Sequence, residues 1–147
     1  MKEEKAIISI NKIFNKTYFT FNELKCKCGC NTFKGDLEFL KKMLKFRVIY
    51  NTAYTPRSVY RCRKHPDWSS NHDGYAQDVP YQKGNSNQRF KIIQSALKTG
   101  FKRIGISVDF VHLDTNPKYN ETALQEVLWI YKDFNKQGKI KGGKTWR

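Results

Sequence analysis

The chain contains three histidines, His65, His72 and His112, and two of them stand among carboxylates. Ser70-Asn71-His72-Asp73-Gly74-Tyr75-Ala76-Gln77-Asp78 sets a histidine before a turn and an aspartate in a strand-like stretch. Asp109-Phe110-Val111-His112-Leu113-Asp114 sets a second histidine in a strand with a carboxylate on either side. Two neutral imidazoles and one carboxylate are a donor set for hydrolytic zinc, which takes three protein ligands and keeps one position for water. That set leaves a net charge of about +1, which helps to acidify the bound water. A nearby carboxylate that is not a ligand can then take the proton. His112 and Asp114 share one face of a strand, because side chains alternate. Asp109, three positions before His112, falls on the opposite face of a regular strand. It serves as base only where the chain bends, which the Ser107-Val108 stretch permits. The competing reading of these residues is a hydrogen-bonded polar cluster without metal.

Helices and short strands must carry these side chains. Thr20 to Leu24 reads as a short helical entry. Asp36 to Arg47 reads as a helix, with Leu37, Leu40 and Leu44 at helical spacing and Asp36 as N-cap. Tyr50 to Tyr60, rich in Tyr, Thr and Val, reads as a strand broken near Pro56. Arg61 to Asn71 is a polar loop, and Tyr75 to Val79 a short strand. Gln88 to Thr99 is a second helix with Phe90, Ile93 and Leu97 on one face, Ser86 as cap and Gly100 as end. Arg103 to Ile106 and Phe110 to Leu113 are strands. Thr122 to Gln125 matches a capping box, whereas Val127 to Tyr131 is β-branched and aromatic; the balance favours a strand on the sheet. This mixture implies an α+β fold, a single domain with an antiparallel sheet and flanking helices. Phe19, Phe21, Phe33, Phe39, Phe46 and Trp129 read as core.

The length of 147 residues suits one domain. Residues 1–131 form that domain, and 132–147 a Lys/Gly-rich, mobile tail. A hydrophobic content of 39% excludes global disorder. No apolar run is long enough to cross a membrane. The apolar stretch Ala6–Ile10 is too short for a signal peptide. The net charge of +15 implies a polyanionic partner, nucleic acid or an anionic bacterial wall.

The four cysteines are Cys26, Cys28, Cys30 and Cys62. Without a signal peptide a disulfide framework is not the default. A structural zinc held by all four, a disulfide formed after release, and free buried thiols remain open, the last favoured because C-x-C-x-C is not a standard zinc spacing.

The His72 segment resembles the S-x-H-x-x-G-x-A-x-D motif of the M15 peptidases, at Ser70, His72, Gly74, Ala76 and Asp78. These are zinc D-Ala-D-Ala carboxypeptidases and L-alanyl-D-glutamate endopeptidases, many of them phage-encoded. Phe110-Val111-His112-Leu113-Asp114 resembles the family's second motif, and Ser58-Val59-Tyr60-Arg61-Cys62 its S-G-Y-R-C segment. Phe101 to Ile106, the cysteine loop and Trp129-Ile130-Tyr131 are also similar to members. The likeness spans roughly residues 18 to 131 in order. One residue fewer separates His72 from Gly74 than in the family, Val59 stands at its glycine, and Asp109 at its glutamate, with a reach about 1.5 Å shorter.

The resemblance implies a D-Ala-D-Ala-peptidase (Hedgehog-like) fold, with His72, Asp78 and His112 as zinc ligands and Asp109 as general base. Arg61 would anchor a substrate carboxylate or oxyanion. Ser70 would hydrogen-bond within the site, and Asp114 would be a second base or orient a ligand. Gly74 would permit a tight turn and Ala76 leave space at the metal, while His65 stays a loop residue. The expected activity is hydrolysis of a peptidoglycan stem peptide next to a D-amino acid. The charge would hold the enzyme on the anionic wall. A phage-encoded chain without a signal peptide would act there after release or from a virion. Two rivals are a catalytically inactive wall-binding module of the same fold and a basic nucleic-acid-binding protein, for which no motif is present.

Overall fold

The computed structural model describes residues 18–119 and 126–132, with Lys12 and the short stretches 139–140 and 144–145. The Thr122–Gln125 capping box and the Ala6–Ile10 stretch lie outside the described residues, as does most of the tail. Helix α1 (Phe21–Leu24) is opened by a reciprocal box: Thr20 accepts from the Glu23 amide, and the Glu23 carboxylate accepts from the Thr20 amide at 2.7 Å. Helix α2 spans Leu37–Tyr50, with the Phe39 amide donating to the Asp36 carboxylate at 2.9 Å. It ends at Asn51, in the left-handed region at φ 51°. Its last turn runs beyond Arg47 because Tyr50 stacks on Phe46, ring centroids 5.5 Å apart.

Strand β1 spans Ala76–Pro80, helix α3 Ser86–Thr99, β2 Arg103–Ile106, β3 Phe110–Asp114 and β4 Val127–Ile130. A 3-10 turn covers Pro117–Tyr119, and β5 (Lys139–Ile140) pairs with β6 (Lys144–Thr145). The main sheet has four strands in the order β1-β3-β2-β4. The chain is thus a small α+β domain, but its sheet is mixed, not antiparallel: β4 runs parallel to β2. The cause is the connection after β3. It starts and finishes at the Arg103 end of β2, so β4 runs opposite to β3 and, with β2 lying between the two, parallel to β2.

Two expected elements are corrected. Residues 51–60 form no strand: their ladder pairing with β1 and its approach is limited to the isolated bridges Arg57–Asp78 and Tyr60–Asp73. Pro56 has no amide to donate, and Ser58 adopts φ 52°, so the extended run is broken twice. Helix α3 is capped by Asn85, whose side chain accepts from the Gln88 amide at 2.9 Å, and Ser86 is already helical. Its buried face is Ile92, Ser95, Ala96 and Thr99, while Phe90 and Leu97 are 63% and 61% exposed. Small side chains at the contact let α3 lie close on α2, and this rotates the larger apolar residues outward.

Alternation along the strands divides the sheet into two faces. Val79, Val111, Leu113 and Ile104 are buried in the core with Phe39, Met43 and Phe46 of α2 and Ile92 and Ala96 of α3. Asp78, His112 and Asp114 occupy the alternate positions and point the other way. Phe19 and Phe33 join the core as expected, and Phe21 packs against its edge. Trp129 does not: it is half-buried beside His112.

Candidate metal centre

Strand register places Asp78 opposite His112, His112 opposite Gly105 and Gly105 opposite Trp129, in one row across the sheet. His72 arrives from the turn before β1. That turn closes through a hydrogen bond from the Tyr75 amide to the Asn71 carbonyl, 3.2 Å, and requires Gly74 at φ +99°. A Cβ at Gly74 would also stand 2.8 Å from the Lys34 carbonyl. The Arg61 amide donates to the His72 carbonyl at 2.8 Å, which fixes the turn from its other side. The short spacing between His72 and Gly74 therefore still delivers the imidazole to Asp78.

The donor atoms of His72, Asp78 and His112 lie within 4.8 Å of one another, and all three residues are buried. His72 Nε2 is 3.7 Å from one Asp78 oxygen and His112 Nδ1 is 2.9 Å from the other. The two rings meet edge to face, centroids 5.1 Å apart. Their remaining nitrogens point outward to acceptors. His72 Nδ1 donates to the Ser58 carbonyl in a short contact, and His112 Nε2 donates to Asp114 at 2.8 Å. Asp114 also accepts from Arg103 Nε at 2.8 Å and from the Asn116 amide at 3.2 Å. Arg103 in turn lies 3.6 Å from the Tyr119 ring centroid.

The two imidazoles differ electrostatically. Burial pushes His72 down to about 4, the nearby Asp78 charge only partly opposing it, so it is a neutral donor at pH 7. Burial also disfavours charge on His112, but hydrogen bonds to Asp114 and Asp78, and their charges, outweigh it and raise the ring to about 9. Asp114 is likewise penalised by burial, yet its hydrogen bond to His112 and the charges of His112 and Arg103 hold it below the usual carboxylate range. Tyr131, beside His112 with centroids 6.5 Å apart, is pushed up to about 12 by burial and by the Asp78 charge.

The other expected residues are placed around or away from this cluster. Arg61 hydrogen-bonds the Ser58 hydroxyl at 2.7 Å and the Asp67 carbonyl at 2.9 Å, close enough for its charge to disfavour protonated His72. Ser70 is tied to the Asn116 amide side chain at 3.4 Å. Ala76 is fully buried opposite Asp114. Asp109 lies in the bend between β2 and β3, and its carboxylate pairs with Arg57 at 3.2 Å on the surface. His65 accepts from the Asp67 amide in its own loop. Val59 is buried in the core, so its bulk does not line the site. Ser58, Arg103 and Gly105 were not singled out by sequence. The isolated glycine in Arg103-Ile104-Gly105-Ile106 did carry a signal, since glycine inside a strand marks a close approach. Here a Cβ would fall 2.5 Å from the Trp129 ring.

Two groups of side chains among the described residues could hold a metal ion: His72, Asp78 and His112, and Cys26, Cys28, Cys30 and Cys62. The first fits zinc by donor type, with three buried N and O ligands. The chain matches no protein-family model, no curated protein and no solved structure.

Proposed function

We propose that the chain is a zinc-dependent peptidase of the M15 type, with that family's Hedgehog-like fold, which hydrolyses a peptidoglycan bond next to a D-amino acid. One observation carries the reading. Both histidines direct one nitrogen to Asp78 and give the other to a fixed acceptor, Ser58 or Asp114. Metal-ligating imidazoles are oriented in this way, because the outer hydrogen bond selects the tautomer whose lone pair faces the ion.

His72, Asp78 and His112 hold the ion. A zinc ion bound there supplies Lewis acidity and a water acidified toward neutrality. Asp109 takes the proton from the attacking water and passes it to the leaving amine. Its partner Arg57 is paired through its backbone with Asp78, so the ion pair ties the base to a ligand-bearing residue. Arg61 binds the carboxylate of the stem peptide or steadies the oxyanion. The net charge of +15 holds the protein to an anionic wall in a salt-sensitive manner.

A second reading, a wall-binding module without turnover, has its own observation. Asp109 is engaged by Arg57 and Asp114 by His112 and Arg103, so both flanking carboxylates already have partners. Metal content and amine release from purified peptidoglycan separate the two for the full chain and for His112→Ala. Zinc with chelator-sensitive cleavage, both lost at this site in the variant, supports the peptidase. Zinc without cleavage selects the module. No zinc dependent on His112 sinks both.

A further inference from the structure

The second group of metal-type donors lies outside the histidine cluster. Cys26, Cys28 and Cys30 come from the loop after α1, and Cys62 from the segment that carries Ser58 and Arg61. Their four sulfur atoms lie within 4.8 Å of one another. Cys26 and Cys28 are 3.4 Å apart, and Cys28 and Cys62 3.5 Å apart. All four are free thiols, and Cys28 and Cys30 are exposed, which corrects the expectation of buried ones.

We propose that Cys26, Cys28, Cys30 and Cys62 hold a structural zinc ion that clamps the loop after α1 to the arginine-bearing segment. A tetrahedral ion with zinc–sulfur bonds of about 2.3 Å sets its sulfurs about 3.8 Å apart, close to the spacing seen here. Disulfides join sulfurs in pairs, whereas these four approach a common point. The C-x-C-x-C spacing, unpromising in sequence, works because Gly29 (φ 92°) and Asn31 (φ 55°) turn the chain between and after the ligands. The Cys26 amide donates to the Thr32 carbonyl at 2.9 Å and closes the loop. The Cys62 amide donates to the Cys26 sulfur at 3.4 Å, a bond that favours a thiolate there. Four thiolates on Zn²⁺ carry a net charge of about −2. Lys25, Lys27, Arg61 and Arg63 adjoin the ligands in sequence, so the segments that carry them are basic. With four protein ligands the site is closed, so it supplies stability and not a reactive water.

The clamp bears on the histidine cluster, because Ser58 and Arg61 in the same segment hold the ring and carbonyl of His72. The two sites are nonetheless separable by experiment. Full-length protein, its His112→Ala variant and its Cys62→Ser variant are purified with zinc, and bound metal is counted. His112→Ala is expected to keep one zinc that Cys62→Ser loses. Cobalt-loaded His112→Ala is expected to show a thiolate-to-cobalt charge-transfer band, irrespective of any peptidase activity. If Cys62→Ser does not fold, cadmium-113 NMR of the unmodified chain decides, a resonance in the four-thiolate range being expected. An intact mass lower by four hydrogens, showing two disulfides, overturns the proposal. So do iron in place of zinc, a cadmium resonance outside that range, and alkylation of all four thiols in native protein without release of metal.

Discussion

His112 and Asp114, two residues apart on β3, face the same way and share a hydrogen bond of 2.8 Å from the ring Nε2 to the carboxylate. Asp114 is therefore an orienting acceptor, secured behind by Arg103. Replacing Asp114 by Asn keeps the shape and removes the charge. Zinc affinity at the histidine site is expected to fall about 10- to 100-fold. Competition with a chromophoric chelator measures it, and an unchanged affinity would show that Asp114 does not act through His112.

The two imidazoles should titrate far apart in chelator-stripped protein. His112 is expected to remain protonated up to about pH 9 and His72 to remain neutral down to about pH 4. The sign for stability follows from the raised value. The charged His112 contributes fully below the ordinary histidine value of about 6.5, and that contribution is lost as the pH rises through about 9. For zinc the order reverses, because the proton on His112 competes with the ion, so affinity climbs with pH over the same window. Imidazole NMR shifts against pH read both rings, and coincident titrations near the ordinary value would refute the assignment.

Gly105 leaves the space into which Trp129 folds toward His112, ring centroids 5.4 Å apart. Gly105→Ala drives a methyl into the indole and is expected to cost about 1–3 kcal/mol of stability. Tryptophan fluorescence should shift while zinc is retained. Wild-type fluorescence and stability together would mean that the close approach is not needed.

Gly74 is subject to two constraints, its positive φ and the Lys34 carbonyl. Gly74→Ala is expected to lose more than about 1 kcal/mol by denaturant melt and to weaken zinc binding through a displaced His72. Gly84→Ala supplies the control: it shares the positive φ but has no neighbour within 4 Å of a new Cβ. Equal effects at the two positions would remove the packing half of the explanation.

Asp109→Asn separates catalysis from binding. If Asp109 is the base, peptidoglycan cleavage drops at least about 100-fold while the histidine site keeps its zinc. Arg57→Ala, which releases Asp109 from its ion pair, tests whether that pair positions the carboxylate. Cleavage untouched by both substitutions would assign the base elsewhere.

Sequence alone determined the donor set, its division between a turn and two strands, and the alternation that puts His112 and Asp114 on one face. It also determined α2 and its Asp36 cap. These depend on neighbouring residues and on periods of about 3.6 and 2.0, which a linear reading contains. Only the tertiary structure decided the parallel placement of β4, the break of residues 51–60, and the outward turn of Phe90 and Leu97. It also brought Ser58 to His72 and Arg103 to Asp114, and Cys62 to three cysteines more than thirty positions away. Each of these depends on contacts between residues distant in sequence, where the packing of whole elements outweighs local propensity.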